Sequence, residues 1–488
     1  MQGAQRGLSQ GGLSRGGLSR RGLGLAIAVL RFVFFAGTAN AQQMIDCPAA
    51  PTGLPGIPQP AISPQMFSDV CFLNPDPFGM VPPTNLFDDF AWRSFIALVW
   101  PAKQGQRGAP DGSLRLDAPQ RPAVFETLKS EWEVFQKDGQ DPKGWNEYGG
   151  VTPCALPGPL AFGDIVLAAF SKFDSVLQAT GSAFSGPLIS QNGKYVRYAT
   201  GFNETLFQPI VAGKYFLAKN LANFTPFKEG SIRVKSAWIE MDGIEKPERF
   251  HRRQAFVFNR ATSQCERKLV GLVALHVVVK TPSMPQWVWA TFEHVDNVPG
   301  PHASKPFTFN KGDGVPMGDT NPAKCDTVQL CPATPPPAFN VDRINPILGE
   351  PPADANVPFS TSDTNNKYRA LLAREYPLSP WRNYQLVMTQ WPLHPNRPDL
   401  NGGPADTFPG VPGIPGIPPT ASANAAIETF LQKSDATGCM SCHLHAQKYD
   451  YVSSLLTRPF VADASALPTS HVDSLNKVKT MFDGQFQK

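Results

Sequence analysis

Three residues near the end of the chain have the types and the spacing to do chemistry: Cys439, Cys442 and His443, in Cys439-Met440-Ser441-Cys442-His443. Two thiols three positions apart add to the two vinyl groups on one edge of a porphyrin, and the following histidine lies under the ring as an iron ligand. The C-x-x-C-H spacing therefore implies one covalent haem c, attached at Cys439 and Cys442, with His443 as the metal ligand. Gly438 supplies backbone freedom just before the first thiol. Upstream, Ala425, Ile427, Phe430 and Leu431 read as an apolar helical face leading into the motif. Other uses of the pair fit less well. A thioredoxin-like site wants a βαβ context, and structural zinc wants two further ligands, for which His443 and His445 are at hand. A plain disulfide is sterically possible too.

The ligand on the other side of the iron is left open among Met481, His276 and His294. Met481 is the only methionine after the motif. It falls in a helix expected over Ser470–Phe482, with Ser470 as N-cap and Asp473 at the capping-box position. His276 lies in an apolar strand, where a satisfied core histidine is the default. His294 sits where a strand leaves its sheet, beside Glu293 and Asp296. Were the distal position open, Glu293 or His294 would be the acid–base group.

These residues need elements to position them. Phe87–Trp100 repeats its apolar residues near helical spacing and is stopped by Pro101. Pro122 to Phe135 offers a second helix, with Val124, Leu128, Trp132 and Phe135 on one side, and Arg369–Glu375 a short third. Between about 194 and 300 the pattern changes. Val234–Met241, Arg253–Phe258, Leu269–Val279 and Gln286–Val295 read as strands of an antiparallel sheet, with Trp287, Trp289 and Thr291 on one face. Residues 42–84 are proline-rich and extended, and 301–365 are irregular. The expected class is α+β, loop- and proline-rich, with a central antiparallel sheet followed by a small, mainly α-helical haem segment.

The boundaries follow from composition. Residues 1–41 carry five arginines and no acid, an apolar run at Gly22–Phe35 and the small-x-small pattern Ala39-Asn40-Ala41. They read as a signal peptide. Residues 42–400 form the large domain, the Pro/Gly tract of 401–420 a semi-rigid linker, and 421–488 the haem segment. At 68 residues that segment is small, so the larger part is expected to pack over it and complete the pocket. Without the first 41 residues the net charge falls from +4 to −1, which leaves no basic footprint for nucleic acid. No later stretch has the roughly 18–20 apolar residues of a transmembrane helix. The mature chain is expected in the periplasm or outside the cell, where disulfides form. Six cysteines remain besides the motif, and sequence does not choose among their pairings; the economical local ones are Cys47–Cys71 and Cys325–Cys331, leaving Cys154–Cys265.

The CMSCH segment resembles c-type cytochromes in general. Gly271–Gly300 (GLVALHVVVKTPSMPQWVWATFEHVDNVPG), together with Asn383-Tyr-Gln-Leu-Val-Met-Thr-Gln-Trp-Pro392, resembles a family of large bacterial single-haem proteins, the cytochrome c family proteins. The resemblance spans most of the mature chain. It implies a cytochrome c-like haem segment, electron transfer and a redox partner protein, and it brings no established sixth ligand or substrate. The chain departs from small monohaem cytochromes by placing its motif after about 400 residues, so their methionine-ligand position is not carried over.

Overall fold

A computed structural model describes residues 44–48, 61–71, 84–118, 121–167, 187–317, 332–350, 360–392, 422–432 and 438–462. All of them belong to one compact unit, Asn40–Lys488. The signal peptide, the Cys325–Cys331 pairing, the 401–420 linker and the Ser470–Phe482 helix with Met481 lie outside the described residues.

Two short parallel strands, β1 (Met44–Ile45) and β2 (Met66–Phe67), open the structure, joined by the Cys47–Cys71 disulfide. Helix α1 (Thr84–Val99) follows where the periodicity puts it and ends before Pro101. It is buried on every side, including Asp88 and Asp89. The Thr361 and Thr389 hydroxyls donate to Asp88, and burial still pushes its carboxyl up to about 7.

The helix expected over Pro122–Phe135 does not form as one. A 3-10 turn at Val124–Thr127 is followed by β3 (Lys129–Ser130) and a single turn, α2 (Glu131–Val134). The carboxylates of Glu126 and Glu133 reach back to the amides of Ala123 and Ser130, capping two separate turns. Then come β4 (Ile165–Leu167), β5 (Arg197–Phe202), α3 (Glu204–Ala212) and β6 (Ile232–Glu240). They lead to β7 (Arg252–Asn259), β8 (Gln264–Val279) and β9 (Val288–His294). Helix α4 (Thr361–Glu375) is longer than the short helix expected, and β10 (Tyr384–Gln390) completes the sheet.

The chain is thus mixed α and β around one eight-stranded sheet, ordered β10-β9-β8-β6-β5-β3. It is antiparallel except where β4 runs parallel to β7. The 16-residue β8 is the spine: β6 takes one edge, while β7 and β9 share the other in tandem. The Cys154–Cys265 disulfide ties an early loop to the start of β8.

Strand alternation gives the two faces different chemistry. One carries Val234, Trp238, Leu275, Val277, Ala290 and Phe292, and α1 packs there, with Phe95 stacked on Phe292 at 4.3 Å. The other carries Arg233, Lys235, His276, Thr291 and Glu293, brought level by the pairings Lys235↔His276 and His276↔Thr291. That polar face is covered by residues 422–432 and 438–458. Asn424 donates to Thr291 and to the Phe292 carbonyl, the Ala425 amide to Glu293, and Arg233 to Ser453 and Ser454. The larger part of the chain therefore does pack against the segment bearing the motif.

Candidate functional site

The motif folds as a single helical turn, α5 (Cys439–His443), continued by a 3-10 turn at Leu444–Tyr449. Positions 439 and 442 are therefore about one turn apart on a helix and share a face. Cys439 is half-buried against the main core, in which Met440 is fully enclosed. The Met440 amide donates to Gln390 of β10, fixing α5 against the sheet edge. No α-helix precedes the motif at Ala425–Leu431, contrary to the expected apolar helical face. Turns and a short 3-10 helix (Thr429–Leu431) stand there instead. Their bonds run to Glu293, Thr291 and Asp342 rather than along a helix axis, and Ala425, Ala426 and Ile427 fill a second core with Ala237 and Ala274.

His443 is held by both of its neighbours. Its ring lies 4.5 Å from that of Trp289, and its Nδ1 donates to the Tyr451 carbonyl at 2.8 Å. That bond fixes the tautomer and leaves Nε2 with a lone pair. Burial, then the positive charge of Arg233, holds His443 well below the ordinary histidine range, with Lys235 and His276 acting in the same direction. A neutral, oriented imidazole is the form that ligates a metal.

The acceptor carbonyl is itself positioned by an unusual turn. Asp450 and Tyr451 both adopt left-handed backbone, at φ 52° and 62°, a conformation costly for residues other than glycine. The Asp450 carboxylate anchors the turn, accepting from Lys280 Nζ at 2.7 Å, the Phe227 amide at 2.9 Å and Trp287 Nε1 at 3.2 Å. A short helix, α6 (Ser453–Thr457), continues beyond it over Arg233. Trp287, expected on one strand face with Trp289, instead precedes β9 with φ 73° and turns toward this anchor.

His276 sits on the polar face, level with Lys235, and its Nε2 lies 3.4 Å from Glu428 Oε2. It is thus not the enclosed core histidine that its apolar strand suggests. His294 occupies the opposite face. It stacks on Phe250 at 3.9 Å, with Nε2 on the Arg249 carbonyl and Nδ1 accepting from the Asp296 amide. With both nitrogens used and the sheet between them, His294 does not meet His443. Glu293 is on the right face but is taken up by Arg343, Gln385 and the Ala425 amide. A separate cavity of about 270 Å³ opens beyond it, lined by His302, Arg343, Glu350, Gln385 and apolar residues.

Of the site residues expected from sequence, His443 and His276 lie close enough to act on one another, Cys439 shares α5 with His443, and His294 does not join them. The Cys442 side chain lies outside the described residues, among which no cluster of metal-ligating side chains stands out. Sequence reasoning missed Arg233, Lys235, Glu428 and the Asp450–Lys280 anchor. The alternation of charge with Ile232, Val234 and Ser236 was the available signal, but such alternation ordinarily marks a solvent face. No family model matches this chain, and neither curated proteins nor solved structures yield a match.

Proposed function

We propose that this chain is an exported protein that holds one haem c at Cys439 and Cys442, with His443 as the iron ligand, and transfers electrons. The observation that carries the reading is the setting of His443: half-buried against the Trp289 ring and tied through Nδ1 to the Tyr451 carbonyl, in the last position of a C-x-x-C-H helix. When bound, haem c supplies a one-electron couple whose potential follows its second ligand, burial and hydrogen bonding. The chain's own part is to hold His443 in one tautomer, to keep water away with Trp289 and Met440, and to hold α5 against the sheet edge through Gln390. The two disulfides, and the lack of any helix long and apolar enough to cross a membrane among the described residues, are compatible with a place outside the cytoplasm. A redox partner protein belongs to the same reading.

A second reading, a haem enzyme or small-ligand binder with an open distal site, draws on the pairing of His276 with Glu428 on the face that carries His443. Such a pair is suited to holding and moving a proton. The test is spectroscopic. Expressed with haem maturation, the chain should keep its haem through acidic organic extraction and on a denaturing gel, and Cys439→Ala with Cys442→Ala should remove it. A low-spin spectrum unmoved by carbon monoxide or peroxide supports electron transfer. A high-spin ferric haem that reacts with peroxide favours the enzyme.

A further inference from the structure

The polar face holds more positive charge than its own carboxylates balance. Arg233, Lys235 and Arg458 act on one another there, and the carboxylates acting on them are Glu131 and Glu428. Arg458 is committed, its Nε bonded to Glu131 at 2.8 Å. Glu428 is shared with His276 and with the Asn424 amide. Arg233 gives one nitrogen to each of Ser453 and Ser454, which are neutral acceptors, and its Nε has no hydrogen-bond partner. The Lys235 ammonium lies 5.6 Å from the Tyr198 ring and makes no ion pair among the described residues.

Arg233 and Lys235 are half-buried, and cations withdrawn from water without a bonded carboxylate are costly unless an anion joins them. Burial pushes the Lys235 ammonium down to about 8, as expected of a cation lacking its partner. Arg233 and Lys235 are two apart on β6, so their side chains leave the same face about 7 Å apart. Both add positive charge at His443.

Resting on the haem reading above, we propose that Arg233 and Lys235 form a carboxylate-binding pair that receives the propionate groups of the haem held by His443. The pair stands half-buried on rigid strand, with Arg233 bonded to two serines of α6. A free carboxylate from solution would meet the same chemistry, and the experiment separates the two sources.

The mature, haem-loaded chain is compared with Arg233→Met, Lys235→Met and Lys235→Arg, each normalised to covalent haem content. Resonance Raman reads the propionate bending bands, and spectroelectrochemistry reads the midpoint potential. Both Met variants should shift those bands and lower the potential, because a cation that stabilises the more negative ferrous state is lost. Lys235→Arg should stay close to the parent in both. Bands and potential unchanged in all three variants overturn the pair. So does a parent protein whose spectrum is altered by added acetate while the Met variants are indifferent, since the occupant is then a free anion. A purified chain with no covalent haem overturns the functional reading itself, and this inference with it.

Discussion

At His294 burial decides the charge. The ring stacks on Phe250 and meets the edge of Tyr384, and desolvation pulls its pKa from 6.5 to about 4. A base depressed in the folded state contributes stability that is fully present above about 6.5 and is lost as the pH falls toward 4. The full span is worth about 3 kcal/mol. His443, depressed for the same reason, adds to that slope. Asp88 opposes it, because its neutral form is favoured up to about 7. Urea melts of the parent and His294→Gln at pH 7 and pH 4.5 isolate the first term: the parent should lose more stability than the variant, and equal losses would contradict the assignment. The residue scale is where sequence was most and least informative. Cys439 and His443 are adjacent parts of one motif, and spacing alone names them. His276 and His294 both sit in apolar strands eighteen positions apart. What separates them is the side of the sheet each faces, and that depends on the register of β8 against β6 and β9.

Among the elements, the turn after the motif is the one with a stored cost. Two consecutive left-handed residues without glycine persist because Lys280, Phe227 and Trp287 converge on one carboxylate. Asp450→Ala should cost about 3–5 kcal/mol, since it strands a buried ammonium, and Lys280→Met in the same chain should restore part of that loss. Urea unfolding of the two variants checks this, and an unchanged midpoint for Asp450→Ala would show that the turn holds by itself. Loaded with haem, Asp450→Ala should also raise the midpoint potential, opposite to Arg233→Met, because it removes a carboxylate and loosens the turn that holds the His443 bond. Lys280 and Asp450 are 170 positions apart, so no local pattern announces their meeting. The strands β6 to β9 and helix α1 were legible because alternation and helical spacing are local. The second helix was misread because its apolar spacing was right while Glu126 and Glu133 cap two separate turns. Strand β10 carries no such local signal, since Tyr384–Gln390 is buried throughout and shows no alternation to read.

Over the whole molecule, the Cys154–Cys265 disulfide closes a loop of 111 positions and the Cys47–Cys71 disulfide one of 24. In the chain-entropy account the first is worth about 5 kcal/mol and the second about 3. Replacing each pair with serine should therefore lower the urea midpoint more for Cys154 and Cys265. The reverse order would mean that β4 and β8 are held by packing alone. Those two thiols could be paired from sequence only by elimination, and it is the β4–β7–β8 arrangement that puts them together. The polar face has a consequence of another kind, in the order of synthesis. Every strand of the sheet is made before residue 391, and its cover arrives only after residue 421. A half-made molecule thus waits with arginine, lysine, threonine and glutamate turned to water, groups that water solvates readily. An oily face held open for the same interval would invite other chains to stick, whereas this one can remain dissolved until its own tail comes down.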